Sequence, residues 1–453
     1  MGLTAEIGLF LAEMSASRMP TPASAIVKTG FTDCVAVLIA GWREPVTGVV
    51  AGLIGVPLPE HPFAPVRIAA PDRALLLATA AHVLDYDDVA LSGHPSAVLV
   101  PAILADAHEL GADGKTMIAA YLAGYELWAE LIARERDPHH RKGWHPSAVF
   151  GAIAAAGASA VLHRLDAQRA SHAVGIAASL AGGVVANFGS MSKSFQVARA
   201  AQSGLIAARL AERGMTASPD AIEHDAGLLQ AISPRGEVDR TRAAKLGKDW
   251  AILEIGLNIK LYPMCYGTHR ILDGMLAICR EHAVSALEIA SVAIEIGDTQ
   301  AAMLRNHRPQ NALDAKFSAE FAMAAAAVAG HCGLAELTDA FVRRSDVQEI
   351  FPKVRISTRS DKLREEPALA AYDRVAVALR DGRELKSEAI AYPRGHFKRP
   401  VDAAVLWTKF ADCTAGSMDA AQARRLFERL QALEQLSSVA DLGQLVTARE
   451  KVH

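Results

Sequence analysis

From residue 1 to about 257, apolar positions recur at helical spacing, and the runs are separated by short breaks at Gly and Pro. TGFTDCVAVLIAGW (29–42), PDRALLLATAAHVLDY (71–86), GKTMIAAYLAGYELWAELIARE (114–135) and ASHAVGIAASLAG (170–182) each predict a helix. The first twenty residues carry Glu6 and Glu13 within an apolar stretch and no basic residue ahead of it, so they read as an amphipathic helix rather than a signal peptide. Past residue 285 the period changes. IASVAIEIG (289–297) puts Val292, Ile294 and Ile296 on one face of a strand. Val375, Val377 and Leu379 alternate before an Asp381, Gly382 turn, as in a hairpin. Two helices are predicted between these strands, near 314–329 and 335–349. Residues 400–448 return to helices, with Leu426, Leu430 and Leu433 on a shared face.

The economical reading is a mainly α protein with an inserted α+β domain: a helical domain over 1–257, the insert over 258–397, and a C-terminal completion over 398–453. An insertion of this kind leaves a cleft between two bodies, a common place for a ligand. A composition 51% hydrophobic and 21% charged requires a folded core, and only 6% aromatic content with abundant Ala points to closely packed helices. Lys plus Arg number 47 against 50 Asp plus Glu, so no net basic field favours nucleic acid. Cys34, Cys265, Cys279, Cys332 and Cys413 lie far apart, which suits a reduced, cytoplasmic protein. Residues 173–192 are uncharged, but paired Gly182 and Gly183 break the run, so a buried helix entering a loop is expected and no membrane span.

One string occurs twice, HPSAV at 94–98 and 145–149, each time ahead of an Ala-rich helical run. Proline suits the first helical position, so His94 and His145 are placed at helix N-caps. There the positive end of the helix dipole would keep an imidazole neutral, and free N–H groups could hold a carboxylate or phosphate. The bland alternative is two ordinary helix starts. Upstream, His82, Asp85, Asp87, Asp88 and His94 form a group that could hold a divalent metal. Asp137, His139, His140 and His145 raise the same possibility, although adjacent histidines in a polar stretch more often form a solvated loop. Lys193, in NFGSMSKSFQVARAA, and Lys260, in GLNIKLYPMCYGTHR, stand in apolar surroundings where a cation is either structural or aimed at an anion. There is no GxGxxG, GxxxxGK[ST] or GxSxG, and no cysteine cluster for an iron–sulfur centre. Acid/base chemistry without a cofactor remains.

The ordered segments AHVLDYDDVALSGHPSAVLVPAI, GWHPSAVFGAIAAA, NFGSMSKSFQVARAA, KLYPMCYGTH, AKFSAEFAMAAAA and YPRGHFKRP resemble the MmgE/PrpD family, over nearly the whole chain. That family includes 2-methylcitrate dehydratase, cis-aconitate decarboxylase and iminodisuccinate epimerase. The resemblance implies a large all-α domain with an α+β lid domain, usually in a homodimer, acting on small di- and tricarboxylates without metal or redox cofactor. It places Asp85, His94, His145, Lys193 and Lys260 as catalytic groups, and Ser96, His269, Cys265 and Phe321 as substrate-binding ones. The family's usual TKP followed by His is here Ser192, Lys193, Ser194, with Gln196 at the His position. Phe321 stands where the decarboxylase has a tyrosine and Cys265 where it has another histidine, which argues against decarboxylation. The implied activity is a lyase or isomerase working by α-proton abstraction, 2-methylcitrate dehydration first and iminodisuccinate-type epimerisation as the alternative. Two further readings are a metal-dependent hydrolase on His82, Asp85, Asp87, Asp88 and His94, and a catalytically inactive helical interaction protein.

Overall fold

The computed structural model describes residues 2–447 apart from Pro65, Arg364, Glu365, Pro367 and Ala368. The chain divides into two compact units, Met1–Leu257 with Ala403–His453, and Asn258–Asp402.

The first unit is helical. Its N-terminal elements are α1 (Leu3–Glu13), α2 (Thr21–Gly41), α3 (Pro45–Ile54), α4 (Ala70–Val83), α5 (Pro95–Leu110), α6 (Gly114–Ile132), α7 (Pro146–Leu162), α8 (Ala167–Leu180) and α9 (Ser192–Glu212). Every residue of α7 is buried, as expected of a helix that is apolar all round. It packs against α5, α6, α8 and α9 through its run of alanines. Asp113 and Asp166 start α6 and α8 by accepting the Thr116 and Arg169 amides, each at 2.8 Å. The uncharged stretch 173–192 is no single helix: α8 stops at Leu180, Gly182 and Gly183 follow, and α9 starts at Ser192. Helix α2 is long and apolar enough to cross a membrane, but about two-thirds of its apolar window is buried within the fold. The C-terminal part adds helices Ala403–Thr414, Ala420–Gln431 and Ala440–Thr447. Leu426 and Leu430 are buried on the second of these, and Leu433 in the 3-10 turn that follows it.

The second unit is built on four strands, β1 (Ile289–Gly297), β2 (Val354–Arg359), β3 (Arg374–Leu379) and β4 (Glu384–Lys386), in the order β2-β1-β3-β4. β1 runs parallel to β2 and antiparallel to β3, pairing Val292 with Val377 and Ile294 with Val375. These residues form one buried face, covered by Ile271, Leu272, Met275 and Ile278 of helix His269–His282 and by helix Ala319–Ala329. The expected helix 314–329 breaks at Ser318, which is extended and accepts the Phe321 amide at 3.1 Å, so a single turn Ala312–Ala315 precedes Ala319–Ala329. The expected helix 335–349 is also interrupted. Thr338 caps one turn, Asp339–Val342, and extended Arg344 separates it from a second, Ser345–Gln348. Local Ser and Thr caps thus override the longer apolar period.

Candidate active site

Both HPSAV strings open helices, with His94 and His145 at the N-caps of α5 and α7 and Pro95 and Pro146 in the first turn. The two helix starts are tied together. The His94 amide donates to Ser147 Oγ at 3.0 Å, and a Cβ at Gly93 would meet that oxygen at 2.7 Å and the Trp128 ring at 2.8 Å. Only glycine allows this approach. Ahead of it, Leu91 and Ser92 both take the left-handed conformation in a turn closed by paired bonds between Ala90 and Gly93.

The loop leaving α4 carries the acids. Asp85 is itself left-handed (φ 52°), a conformation Asp tolerates better than most residues. Its Oδ1 accepts Lys193 Nζ at 2.7 Å and lies 3.8 Å from His94 Nε2. Lys193 is in the first turn of α9, at the unfavourable positive end of the helix dipole, so the Asp85 carboxylate is what makes this buried position tenable. Its ammonium also sits 5.4 Å from the centre of the Phe188 ring. Asp87, fully buried, is shared: His82 Nδ1 lies 3.0 Å from Oδ1 and His94 Nδ1 2.9 Å from Oδ2. His94 Nδ1 is also 3.0 Å from the Asp88 carbonyl. Asp88 turns its side chain away, taking the Ser96 amide at 3.2 Å and the Ser96 hydroxyl, which also meets Tyr121 OH at 2.7 Å. Ser96 is therefore placed as a support of this loop.

His145 completes the cluster. Its ring centre lies 6.3 Å from that of His82, which lies 4.5 Å from that of His94. Its Nδ1 faces Gln196 Oε1 at 3.1 Å, while Gln196 Nε2 donates to the Val184 carbonyl at 3.1 Å, fixing the amide orientation. Gly183 makes room, since a Cβ there would meet Gln196 Oε1 at 2.6 Å. The three imidazoles thus share one arrangement. Each directs Nδ1 at oxygen acceptors, so each neutral ring carries its hydrogen there and presents Nε2 as the proton acceptor. His82 Nε2 is buried and has no hydrogen-bond partner among the described residues.

Burial pushes the His82 pKa down to about 4, with Asp87 opposing. Burial also holds His145 well below the usual imidazole range, helped by competition with protonation of His82, by the Lys193 ammonium and by competition with protonation of His94. Desolvation, rather than the helix dipole alone, is the cause of its neutrality. Burial would raise Asp87, but His82 and His94 outweigh it and hold the carboxyl well below its usual range. Asp88 goes the other way: burial raises it well above that range despite the Ser96 bonds.

His82, Asp85, Asp87 and His94 bring one possible ligand atom each within 4.8 Å of one another. Asp88 is outside that set. Asp85 is already matched by the Lys193 ammonium and Asp87 by two imidazole N–H groups, so a cation here would have to compete with Lys193. The second group does not assemble among the described residues: Asp137 pairs with Arg141 and Arg235, and His139 packs against Phe150. His140 lies 6.4 Å from the Phe188 ring, its pKa lowered by burial to about 4.

The remaining predicted residues belong to the second unit. Lys260 and His269 are buried there, and the His269 ring lies between Tyr262 and Tyr266 at 5.1 and 5.2 Å. The Cys265 amide donates to the Lys316 carbonyl at 2.9 Å, and its own carbonyl accepts the Thr268 hydroxyl. Phe321 lies wholly within the apolar core, edge-on to Phe341 at 6.3 Å. Sequence reasoning named His82 only as a metal ligand and gave Gln196 no role. The signal for His82 was its place five residues before Asp87 across a helix end; for Gln196 it was its place where the family carries a His, although its pairing with His145, 51 residues away, could not be read from the sequence.

Residues 5–241 match the MmgE/PrpD N-terminal domain and residues 262–435 the MmgE/PrpD C-terminal domain. A cis-aconitate decarboxylase of Aspergillus terreus is 25% identical over 410 residues, 85% of this chain and 82% of that protein. The human cis-aconitate decarboxylase is 23% identical over 360 residues, covering 76% and 73%. A cis-aconitate decarboxylase-like protein of Aspergillus oryzae is 25% identical over 483 residues, covering 98% and 97%.

Proposed function

Because the chain belongs to the MmgE/PrpD family, we propose that it is a lyase or isomerase that removes a proton from the carbon beside a carboxylate of a small di- or tricarboxylate. Dehydration of the 2-methylcitrate type is the primary chemistry, and epimerisation of the iminodisuccinate type the alternative. The observation that carries this reading is the common orientation of His82, His94 and His145, three Nε2 acceptors beside one lysine.

In this scheme His145 Nε2 takes the α-proton, and the C–H electron pair moves into the adjacent carboxyl group as an aci-carboxylate. Lys193 stabilises the added negative charge, and Asp85 fixes its position. For dehydration the pair then returns to form the alkene as the β-hydroxyl departs as water, protonated at His94 Nε2 after that imidazole has taken a proton from solvent, while the proton gained by His145 returns to solvent. For epimerisation a protonated imidazole returns the proton to the opposite face. Gln196 keeps His145 in the tautomer the first step needs. The relatives act, by their names, on cis-aconitate, which supports a small tricarboxylate as the substrate class.

The test is proton NMR of the metal-stripped protein in D2O with 2-methylcitrate, citrate, cis-aconitate and iminodisuccinate stereoisomers. Alkene formation supports dehydration, and exchange with inversion supports epimerisation. Carbon dioxide release from cis-aconitate would move the reading to decarboxylation, and no exchange from any of them would sink it. The four-donor cluster favours one second reading, a metal-dependent hydrolase. It predicts stoichiometric binding of added Zn²⁺ or Mn²⁺ that weakens in His82→Gln, with hydrolysis appearing only in the loaded protein.

A further inference from the structure

Phe188 lies in the loop between α8 and α9 and is half-buried. Two backbone hydrogen bonds lace this loop to the segment that carries His145. The His145 amide donates to the Gly183 carbonyl at 3.0 Å, and the Val185 amide to the Gly143 carbonyl at 2.9 Å. A 3-10 turn, Val185–Asn187, then leads into Phe188, whose amide donates to the Val185 carbonyl at 2.9 Å. Gly189 follows at φ 84°, in the left-handed region that favours glycine. The position of the Phe188 ring is therefore set by the backbone on both sides.

That ring stands where two functional groups meet. It is edge-on to the His145 imidazole, with ring centres 4.8 Å apart and planes at 79°, and the Lys193 ammonium lies 5.4 Å from its centre. The side chains already placed against this base and this lysine, Gln196, His82 and Asp85, are all polar. Phe188 is thus an apolar surface shared by the two, and its loop carries the exposed Val184 and Met191 as well. Apolar wall beside a few convergent polar groups is the usual make-up of a small-molecule site. An α-carbon whose proton goes to His145 and whose carboxylate is held by Lys193 has two further substituents. One leads to the rest of the polyacid. The other is a hydrogen in citrate and a methyl group in 2-methylcitrate.

We propose that the Phe188 ring receives this second substituent, making Phe188 a specificity-determining residue that selects polycarboxylates bearing an alkyl group on the carbon that loses its proton. The inference rests on the functional reading above for the roles of His145 and Lys193. A methyl group against the ring leaves water, whereas a carboxylate or an amine in the same place would lose hydration with no partner from the ring.

The experiment compares kcat/KM for 2-methylcitrate and citrate, which differ by that one methyl group, in the full chain as wild type, Phe188→Leu and Phe188→Gln. The two replacements are close in size and opposite in polarity. Wild type should prefer 2-methylcitrate by about tenfold or more. Phe188→Leu should keep most of that ratio and Phe188→Gln should bring it close to one, whatever either does to the absolute rates. A second measurement needs no variant and carries the test if Phe188→Gln fails to fold: methylsuccinate should inhibit wild type at a concentration about threefold or more below that of succinate. Equal ratios in the two variants, equal inhibition by the two acids, or turnover confined to iminodisuccinate would overturn the inference while leaving the functional reading intact. A wild type that exchanges the α-proton of none of these acids removes both proposals.

Discussion

At the residue scale, the buried pair Lys193 and Asp85 changes how variants must be read. Removing Lys193 alone strands a carboxylate that is 6% exposed, which costs about 3–5 kcal/mol whatever the lysine does in catalysis. The combination Asp85→Asn with Lys193→Met relieves that charge, so it should melt within a few degrees of wild type while exchanging no substrate proton. Recovery of exchange in the double variant would remove Lys193 from the mechanism. His145 is easier to test, because among the described residues Gln196 is the one polar partner of its imidazole. His145→Ala should lower the exchange rate by about 10² to 10⁴ at a stability cost of about 1 kcal/mol, measured by urea unfolding. Gln196→Ala leaves the imidazole present but its tautomer free, and a fall in kcat with KM unchanged is the expected signature. Since burial and nearby cations hold His145 well below the usual imidazole range, wild-type kcat should stay flat on acidification through pH 6.5 and fall only at lower pH. A half-maximal rate at pH 6.5 would contradict a neutral, buried base.

At the element scale, the acid loop is held from behind. Lys409, in helix Ala403–Thr414, reaches Asp33 of α2 at 2.6 Å and the Tyr86 carbonyl at 2.8 Å, with its ammonium 4.0 Å from the Tyr86 ring centre. Tyr86 stands between Asp85 and Asp87, so this C-terminal lysine sets the backbone that carries both. Lys409→Met should destabilise by about 3–5 kcal/mol by stranding Asp33, whereas Asp33→Asn with Lys409→Met should recover most of the stability and still exchange protons more slowly. Equal rates for the double variant and wild type would make the anchor purely structural. The capped positions of His94 and His145 were legible in the sequence because Pro fixes the first helical turn, and β1 and β3 were legible because a period of two is local. The sharing of Asp87 by two imidazoles was not, since it depends on the reverse turn at 90–93 and on a glycine pressed against Trp128. Nor was the break at Ser318, where one hydroxyl outweighed an Ala-rich helical run.

At the scale of the whole molecule, the homodimer we propose from the family should sediment at twice 48.0 kDa, and a single-chain species at micromolar concentration would refute it. A second global property, the dependence of stability on pH, follows from buried groups with opposite signs. The unfolded chain binds a proton at His82 below about pH 6.5, whereas the folded protein refuses it until about 4. Stability from this group is therefore present above 6.5 and lost as pH falls. Glu126 acts in reverse. It is buried beneath the Ala251 and Ile252 amides, and its pKa is raised to about 7, so the folded protein keeps a proton that the unfolded chain releases near 4.5. Its contribution is complete below 4.5 and disappears as pH rises through 7. Each group is worth about 3 kcal/mol across its window, and its slope adds to those of the other buried groups, His140 and His145 among them, so it is read as a difference between variant and wild type. Relative to wild type, measured by urea titration at fixed ionic strength, Glu126→Gln should make stability rise more steeply with pH between about 4.5 and 6.5. His82→Gln should make it rise less steeply, or fall, over the same range. If both variants kept the wild-type profile, the two side chains would be in contact with water, and the buried imidazole cluster on which the proposed proton transfer depends would not exist in solution.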